Sequence, residues 1–214
     1  MNINDLIVVH ETNHYIVVVK PVGILSQQDT TGDTDMLSLV KEYLRVKYKK
    51  PGDAFVGLVH RLDRMTSGLM VFAKTSKGAS RLNEQIREHV FEKKYYALLS
   101  GHLEQSGTLE DELIFDEKIR KAFIQKGGKY AKLTYQIVRY EESNTIVDIE
   151  LITGRHHQIR AQFGSLGYPL VGDTLYGSKI QCPIKLHAYH LSFLDPITKE
   201  RVNFINNPIW IERK

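Results

Sequence analysis

The strand-sized apolar runs of this chain are spaced irregularly, and this spacing limits the folds that it can adopt. The run at 16–20 stops at Pro21 and Gly23, which is typical of a buried strand ending in a turn. Further strands are predicted at 56–62, 68–74, 93–101, 132–140, 145–153 and 185–196. No β-α-β rhythm and no internal repeat connects these runs. The sequence therefore predicts an α+β fold with a mixed, largely antiparallel sheet that is flanked by helices and loops.

Helical spacing of apolar residues appears in segments between these strands. The predicted helices are 35–48, a segment after Ser76 that contains Leu82, Ile86 and Val90, and 157–167. Ser76 is the predicted N-cap of the second helix because its hydroxyl can accept a hydrogen bond from the first turn. The third helix, if it forms, buries Ile159, Phe163 and Leu166.

The composition indicates a soluble domain of a reducing compartment. The 214 residues include 42% hydrophobic residues and a single cysteine, Cys182, which excludes an internal disulfide framework. A net charge of +4 permits a polyanionic partner without requiring one. The N-terminus shows no secretory signal, and the longest apolar run is far shorter than the roughly 20 residues of a membrane helix. We therefore expect a cytoplasmic monomer with one domain over residues 1–214.

The segment 60–68 concentrates side chains that are common in catalysis at the end of a predicted strand. It contains a carboxylate, two guanidinium groups, an imidazole and two hydroxyls. A structural ion pair between Asp63 and the neighbouring arginines explains the pattern as well as catalysis does. Ser67 lacks the G-x-S-x-G pattern of a nucleophile elbow. The residues alone leave both interpretations of Asp63 open.

A second polar segment, 154–160, ends a predicted strand and opens a predicted helix, and helix starts attract anions. His156 and His157 are adjacent, but neighbouring side chains diverge and no carboxylate or thiol stands at ligand spacing. We therefore expect no metal site. Asp173, in the turn-rich stretch 167–177, is predicted to be exposed and structural.

These segments carry a family resemblance. The stretch HRLDRMTSGLMVFAK (60–74) resembles the signature of the RluA family of pseudouridine synthases. The resemblance continues in family order through KPVG (20–23), KKYYAL (93–98), TGRHHQIR (153–160), GYPLVGDTLYG (167–177) and LHAYHLSFLDP (186–196). It is weakest between residues 102 and 127. It implies the catalytic domain of an RNA pseudouridine synthase, with an RNA-binding cleft and no N-terminal RNA-binding module.

The resemblance also implies roles for individual residues. Asp63 resembles the catalytic aspartate, Tyr95 the active-site tyrosine, Arg160 the arginine paired with the aspartate, and Arg61 an arginine that displaces the target base. The expected substrate-binding residues are Arg61, His60, Thr66, Arg155 and His157. Of the adjacent tyrosines Tyr95 and Tyr96, which should face opposite sides of a strand, only the family register selects Tyr95.

The implied reaction is an isomerisation that breaks the uridine C1′–N1 bond and rejoins the base through C5. It involves no net redox change or hydrolysis, so no cofactor and no metal are expected, and the expected partner is structured rRNA or tRNA. Gln162 and Lys185 depart from the family pattern, where His and Arg are usual, and this affects RNA contacts more than catalysis. The alternatives are a non-catalytic RNA-binding module and a glycoside or nucleoside hydrolase, which normally needs a second carboxylate.

Overall fold

A computed structural model describes residues 2–49 and 51–212 of the chain. These residues form two compact units. The described part of the first unit lies within 2–92 and 189–208, and that of the second within 93–188 and 209–212. The α+β class with a largely antiparallel sheet is confirmed.

The first unit is built on antiparallel strand pairs. Its strands are β1 (Ile7–Glu11), β2 (Tyr15–Lys20), β3 (Gly57–Leu58), β4 (Ser67–Ala73), part of β10 (Leu186–Leu194), and β11 (Arg201–Ile205). They follow the order β1-β2-β4-β10, with β3 paired to β4 and β11 to β10. Tyr189 to Leu194 of β10 belong to this unit. β2 and β4 are buried along nearly their whole length, which explains their continuous apolar sequence.

Two helices of the first unit follow the predicted spacing. They are α1 (Met36–Lys47) and α2 (Ser76–Arg87). The predicted cap of α2 was wrong by one residue, because the Thr75 hydroxyl accepts the hydrogen bond from the Gly78 amide. Leu82 of α2 is fully buried in an apolar core that includes Tyr15, Phe91 and Phe193. These contacts fix α2 against the sheet.

The second unit is an antiparallel sheet with one long hairpin. Its strands are β5 (Glu92–Ser100, in this unit from Lys93), β6 (Gly107–Asp116), β7 (Lys121–Ile124), β8 (Lys129–Glu141) and β9 (Asn144–Leu151), in the order β5-β9-β8-β6-β7. Its helices are α3 (Gln158–Ser165) and the short α4 (Ile209–Glu212). Ile159 and Phe163 of α3 are buried as predicted, but Leu166 is exposed because α3 ends at Ser165.

The segment 56–62 was predicted to be a strand, and this was largely wrong. Only Gly57 and Leu58 pair with β4, and the chain then runs as a loop to Thr66. At Leu62 both backbone groups bond to one side chain: the Ser26 hydroxyl donates to the Leu62 carbonyl (2.6 Å) and accepts from the Leu62 amide (3.0 Å). Because these groups are already satisfied, Leu62 needs no neighbouring strand.

Candidate active site

The residues predicted to act on RNA fall into two groups, one in each unit. Asp63, His60, Arg61 and Thr66 lie in the first unit, and Tyr95, Arg155, His157 and Arg160 lie in the second. Within each unit, short loops or turns next to sheet strands carry most of these side chains.

The loop that carries Asp63 is fastened to the segment 20–26. The Gly23 amide donates to the Arg64 carbonyl (2.8 Å), and the Arg64 side chain donates back to the Gly23 carbonyl (3.0 Å). Gly23 has φ +88°, a left-handed conformation that glycine adopts without strain. Together with the two bonds from Ser26 to Leu62, these contacts bracket Asp63 on both sides. Asp63 itself is half-buried.

A buried cation holds the same loop. Lys20 has no exposed surface, and its ammonium donates to the carbonyls of Pro21 (2.9 Å), Ile24 (2.7 Å) and Arg64 (3.0 Å). Burial lowers the pKa of Lys20 to about 7, and the negative charge of Asp63 opposes this shift. The attraction is mutual, so the Lys20 ammonium favours the ionised form of the Asp63 carboxylate.

His60 and Thr66 are buried beside this loop, whereas Arg61 is exposed. His60 Nε2 accepts the hydrogen bond of the Val71 amide (3.1 Å), and its ring packs against Phe91. The Thr66 amide donates to the Asp63 carbonyl (3.0 Å). These bonds favour a supporting role for His60 and Thr66. Their predicted contact with substrate stays a prediction.

In the second unit, the turn 153–158 is organised by the side chain of Gln158. Its Oε1 atom accepts hydrogen bonds from the Thr153 hydroxyl (2.8 Å) and the Arg155 amide (3.0 Å). Arg155 is exposed, and its Nε donates to the Tyr130 carbonyl (2.7 Å). His157, at the end of this turn, has φ +53° and immediately precedes α3. The turn thus displays Arg155 at the surface and directs the chain into the helix.

Arg160 forms a buried ion pair with Asp173. Its Nε and Nη2 donate to the two carboxylate oxygens at 2.7 and 2.8 Å, which is the bidentate geometry that guanidinium and carboxylate groups favour. Asp173 is 1% exposed, so the predicted exposure of this side chain was wrong. The turn that ends at Asp173, where the Asp173 amide donates to the Leu170 carbonyl, places the carboxylate against Arg160 and neutralises the buried guanidinium. The ion pair orients the guanidinium from one edge.

The ring of Tyr176 covers the face of the same guanidinium, with Arg160 Cζ 5.1 Å from the ring centroid. The Tyr176 hydroxyl accepts the Ala122 amide (2.8 Å) and lies 3.1 Å from His157 Nδ1. Gly164 adjoins this group: a Cβ atom there would lie 3.0 Å from Tyr176 Cβ, so a larger residue would displace Tyr176 by a few tenths of an ångström. Arg160, Tyr176 and His157 therefore form one packed group.

Positive charge surrounds His157. Burial, with the charges of Arg160, His156 and Arg120, lowers the pKa of His157 to about 3. The imidazole is therefore neutral at physiological pH, and a role as a cation that binds phosphate is disfavoured.

Tyr95 lies on β5 opposite Ile149 of β9 and is 5% exposed, whereas Tyr96 is half-buried. The two side chains differ in environment, as predicted for neighbours on a strand. Lys93 lies on the same side of the strand as Tyr95, and burial lowers its pKa. The family register still supplies the reason for selecting Tyr95 over Tyr96.

Gln162, which stands where the family usually has His, has a hydrogen-bond partner within the protein. Gln162 is buried, and its Nε2 donates to Asp111 of β6 (2.7 Å). This side chain therefore stabilises the packing of α3.

The sequence did not predict Ser26, Asp173 and Tyr176 as side chains that hold the candidate residues. Asp173 and Tyr176 stood in a recognised motif, but their partners are distant in the chain.

Within residues 2–49 and 51–212, no group of three or more His, Cys, Asp or Glu side chains is arranged to hold a metal ion. In the same residues, no helix is both long enough and apolar enough to cross a membrane.

The fold has counterparts among solved structures. Human RNA pseudouridylate synthase domain containing 4 superimposes with a TM-score of 0.78 and 21% identity, over 95% of this chain and 89% of that chain. Human RNA pseudouridylate synthase domain containing 1 gives a TM-score of 0.77 at 23% identity, over 97% of this chain and 85% of that one. At this identity the likeness establishes the fold, which is that of a pseudouridine synthase.

Sequence comparison establishes the family. The model of the RNA pseudouridylate synthase family matches residues 14–165. The dual-specificity RNA pseudouridine synthase RluA of Pasteurella multocida is 38% identical over 95% of this chain and 93% of that protein. The ribosomal large subunit pseudouridine synthase D of Zymomonas mobilis is 31% identical over 92% of this chain and 67% of that protein. The chain belongs to the RNA pseudouridylate synthase family and is an isomerase that modifies RNA.

Proposed function

We propose that this enzyme isomerises specific uridines in rRNA or tRNA and that Asp63 is its catalytic carboxylate. The observation that supports the proposal is the set of hydrogen bonds that fix the Asp63 loop. Lys20, Gly23 and Ser26 bond to the residues on both sides of Asp63, and Asp63 itself makes the electrostatic contact with Lys20. A carboxylate that is fixed and kept ionised is suited to act as a nucleophile at C1′ or as a base at C2′.

In this proposal Arg160 keeps the role that the family resemblance implies, that of the arginine paired with the catalytic aspartate. The ion pair with Asp173 uses Nε and Nη2 and thereby sets the plane of the guanidinium. Tyr95 holds the detached uracil on its ring, and its hydroxyl assists removal of the C5 proton.

Substrate contacts are assigned to exposed arginines and to the neutral His157. Arg61 displaces the target base or contacts its neighbours, since the uridine must leave its stack before the reaction. Arg155 contacts phosphate, which makes binding sensitive to salt. His60 and Thr66 contact the substrate in this proposal, and their bonds to the Val71 amide and the Asp63 carbonyl also hold the Asp63 loop. The proposed catalytic unit comprises residues 1–214 and acts in the cytoplasm as a monomer, without a cofactor.

The experiment compares pseudouridine maps of total RNA from cells with and without this protein, by carbodiimide labelling. The deletion is then complemented with wild type, Asp63→Asn or Asp53→Asn. Asp53 is the matched control, because it is an exposed carboxylate of the same unit and has no proposed role in the reaction. We expect one or a few sites to disappear and to return with wild type and Asp53→Asn, but not with Asp63→Asn.

Two other outcomes would contradict the proposal. Release of free uracil from RNA by the purified protein would identify a hydrolase, since isomerisation keeps the base attached. An unchanged map, or full restoration by Asp63→Asn, would leave the non-catalytic RNA-binding module as the better explanation. Restoration of sites in rRNA or in tRNA alone would identify the substrate class.

A further inference from the structure

The Tyr176 hydroxyl lies between a backbone amide and an imidazole. The Ala122 amide can only donate, so the hydroxyl oxygen is the acceptor of that 2.8 Å bond. His157 Nδ1 lies 3.1 Å from the same oxygen. A tyrosine hydroxyl has one proton, and directing it to Nδ1 satisfies both neighbours at once. In that arrangement His157 carries its own proton on Nε2.

The surroundings of His157 support a neutral ring in this arrangement. Arg160 and Arg120 face it from α3 and from the β6–β7 turn, and His156 precedes it. The ring of Phe115 packs edge-on against it at 5.6 Å between centroids. Lys121, on β7, lies over the Tyr176 ring at 5.1 Å. Arg120 and Lys121 are positive, and both carboxylate oxygens of Asp173 are bonded to Arg160, so a proton on Nδ1 as well as Nε2 is disfavoured.

We propose that Tyr176 is a positioning residue that holds His157 in its neutral Nε2–H tautomer and keeps the Arg160 guanidinium in a fixed plane. His157 then offers the RNA a neutral N–H donor, which suits an oxygen of a base, ribose or phosphate without adding charge. This inference rests on the proposed function for its RNA contact, but the tautomer is a property of the free protein. The hydroxyl also ties this group to β7 through Ala122.

The first test is spectroscopic and needs no substrate. Two-bond 1H–15N correlation spectra of uniformly 15N-labelled protein distinguish the tautomers of each histidine, and the His157 signals are assigned by their loss in His157→Gln. We expect wild type to show a protonated Nε2 and an unprotonated Nδ1 from pH 5 to pH 8, a range that lies above the lowered pKa of about 3. Either an Nδ1–H tautomer or titration of His157 within this range would overturn the proposal.

The second test removes the hydroxyl. In Tyr176→Phe we expect His157 to become a mixture of its two neutral tautomers, because Nδ1 loses its donor. Tyr140→Phe is the matched control: its hydroxyl donates to the Leu103 carbonyl (2.9 Å), and its loss should leave the His157 signals unchanged. Unchanged His157 signals in Tyr176→Phe would contradict the inference. If Tyr176→Phe does not fold, the wild-type spectra still decide the tautomer.

The third test measures kcat/KM and the salt dependence of binding on an RNA hairpin that carries the mapped uridine. We expect Tyr176→Phe to lower kcat/KM by about three- to tenfold, the effect of losing one hydrogen bond. His157→Gln should leave the salt dependence of binding unchanged, whereas Arg155→Gln should reduce its slope by up to about 1. A reduced slope in His157→Gln would show a cationic phosphate contact and overturn the neutral-donor assignment. Absence of pseudouridine formation by wild type would refute the proposed function while the spectra remain interpretable.

Discussion

Lys20 in the first unit and Arg160 in the second are both buried cations, but their counter-charges differ. Lys20 is surrounded by three carbonyl dipoles, and the electrostatic effect of Asp63 partly offsets its burial. Arg160 faces a full carboxylate from Asp173 at two hydrogen-bond distances. Carbonyl dipoles satisfy the hydrogen bonds of an ammonium but do not cancel its charge, so the influence of Lys20 extends to Asp63. The Arg160 ion pair cancels most of its own charge and chiefly sets geometry.

The largest effect is expected where a full charge would lose its counter-ion. Asp173→Asn keeps the shape of the side chain but leaves the Arg160 guanidinium buried against an amide. We expect the free energy of unfolding to fall by about 3–5 kcal/mol, since breaking one side of a buried pair leaves an uncompensated charge. Denaturant titration followed by circular dichroism measures this change.

The control for Asp173→Asn is Glu110→Gln, which removes the exposed partner of Lys132 in the same unit. We expect a change in the free energy of unfolding of about 0–1 kcal/mol for this surface pair. Equal effects of the two substitutions would remove the distinction between a buried ion pair and an ordinary surface one.

A smaller effect on stability is expected when Lys20 is replaced, because the groups that lose their partner are neutral carbonyls. Lys20→Met leaves the carbonyls of Pro21, Ile24 and Arg64 without this donor, while it relieves the desolvation of an ammonium. We expect a net loss of about 2–3 kcal/mol in the free energy of unfolding. We also expect kcat to fall more than KM rises, because the loop that carries Asp63 loses its anchor.

Lys77→Met is the matched control for Lys20→Met, since Lys77 is exposed on α2 in the same unit. Its stability and kcat should stay near those of wild type. A Lys20→Met enzyme with unchanged kcat would show that neither the charge of Lys20 nor its hydrogen bonds to the loop affect Asp63.

The smallest effect is expected at Glu11, where cations surround a carboxylate near the surface. Although burial raises its pKa, hydrogen bonds from Lys47, Lys74 and Tyr48 lower it to about 2 from 4.5. The ionised form is thus favoured by folding, so this stabilisation is present above pH 4.5 and is lost as the pH falls towards 2. We expect Glu11→Gln to lower the free energy of unfolding by about 1–2 kcal/mol at pH 7.

Urea titrations of wild type and Glu11→Gln from pH 7 to pH 2.5 measure this difference, which should narrow only below pH 4.5. Glu42→Gln is the control, because its partner Arg45 is exposed and adjacent on the same helix. A difference that stays constant down to pH 2.5 would show that Glu11 contributes packing and not charge.

The fold was largely predictable because its central elements have strong local patterns. β2 and β4 are continuous apolar runs, and α1 and α2 repeat their apolar residues at helical spacing. β6 was not predicted, because its central residues Glu110, Asp111 and Glu112 have low strand propensity. Pairing with β7 and β8 overrides that propensity.

The candidate site was predictable in its residue identities but not in its supports. Asp63, Tyr95 and Arg160 came from motif resemblance, which records side chains and spacing. The same motifs contain Lys20, Asp173 and Tyr176, yet nothing local shows that Lys20 is buried or that Tyr176 reaches β7. Asp173 was predicted to be exposed because aspartate in a turn usually is, and its burial depends on a guanidinium 13 positions earlier in the chain.

Strand and helix positions were encoded in the chain itself, because side-chain periodicity follows directly from the 2.0 and 3.6 repeats of the backbone. The fold determined which groups neutralise one another: Lys20 meets a carbonyl 44 positions away, and the Tyr176 hydroxyl meets an amide 54 positions away. Such pairings follow from the packing of distant segments, where each buried polar group must find a partner among those that the fold brings within reach.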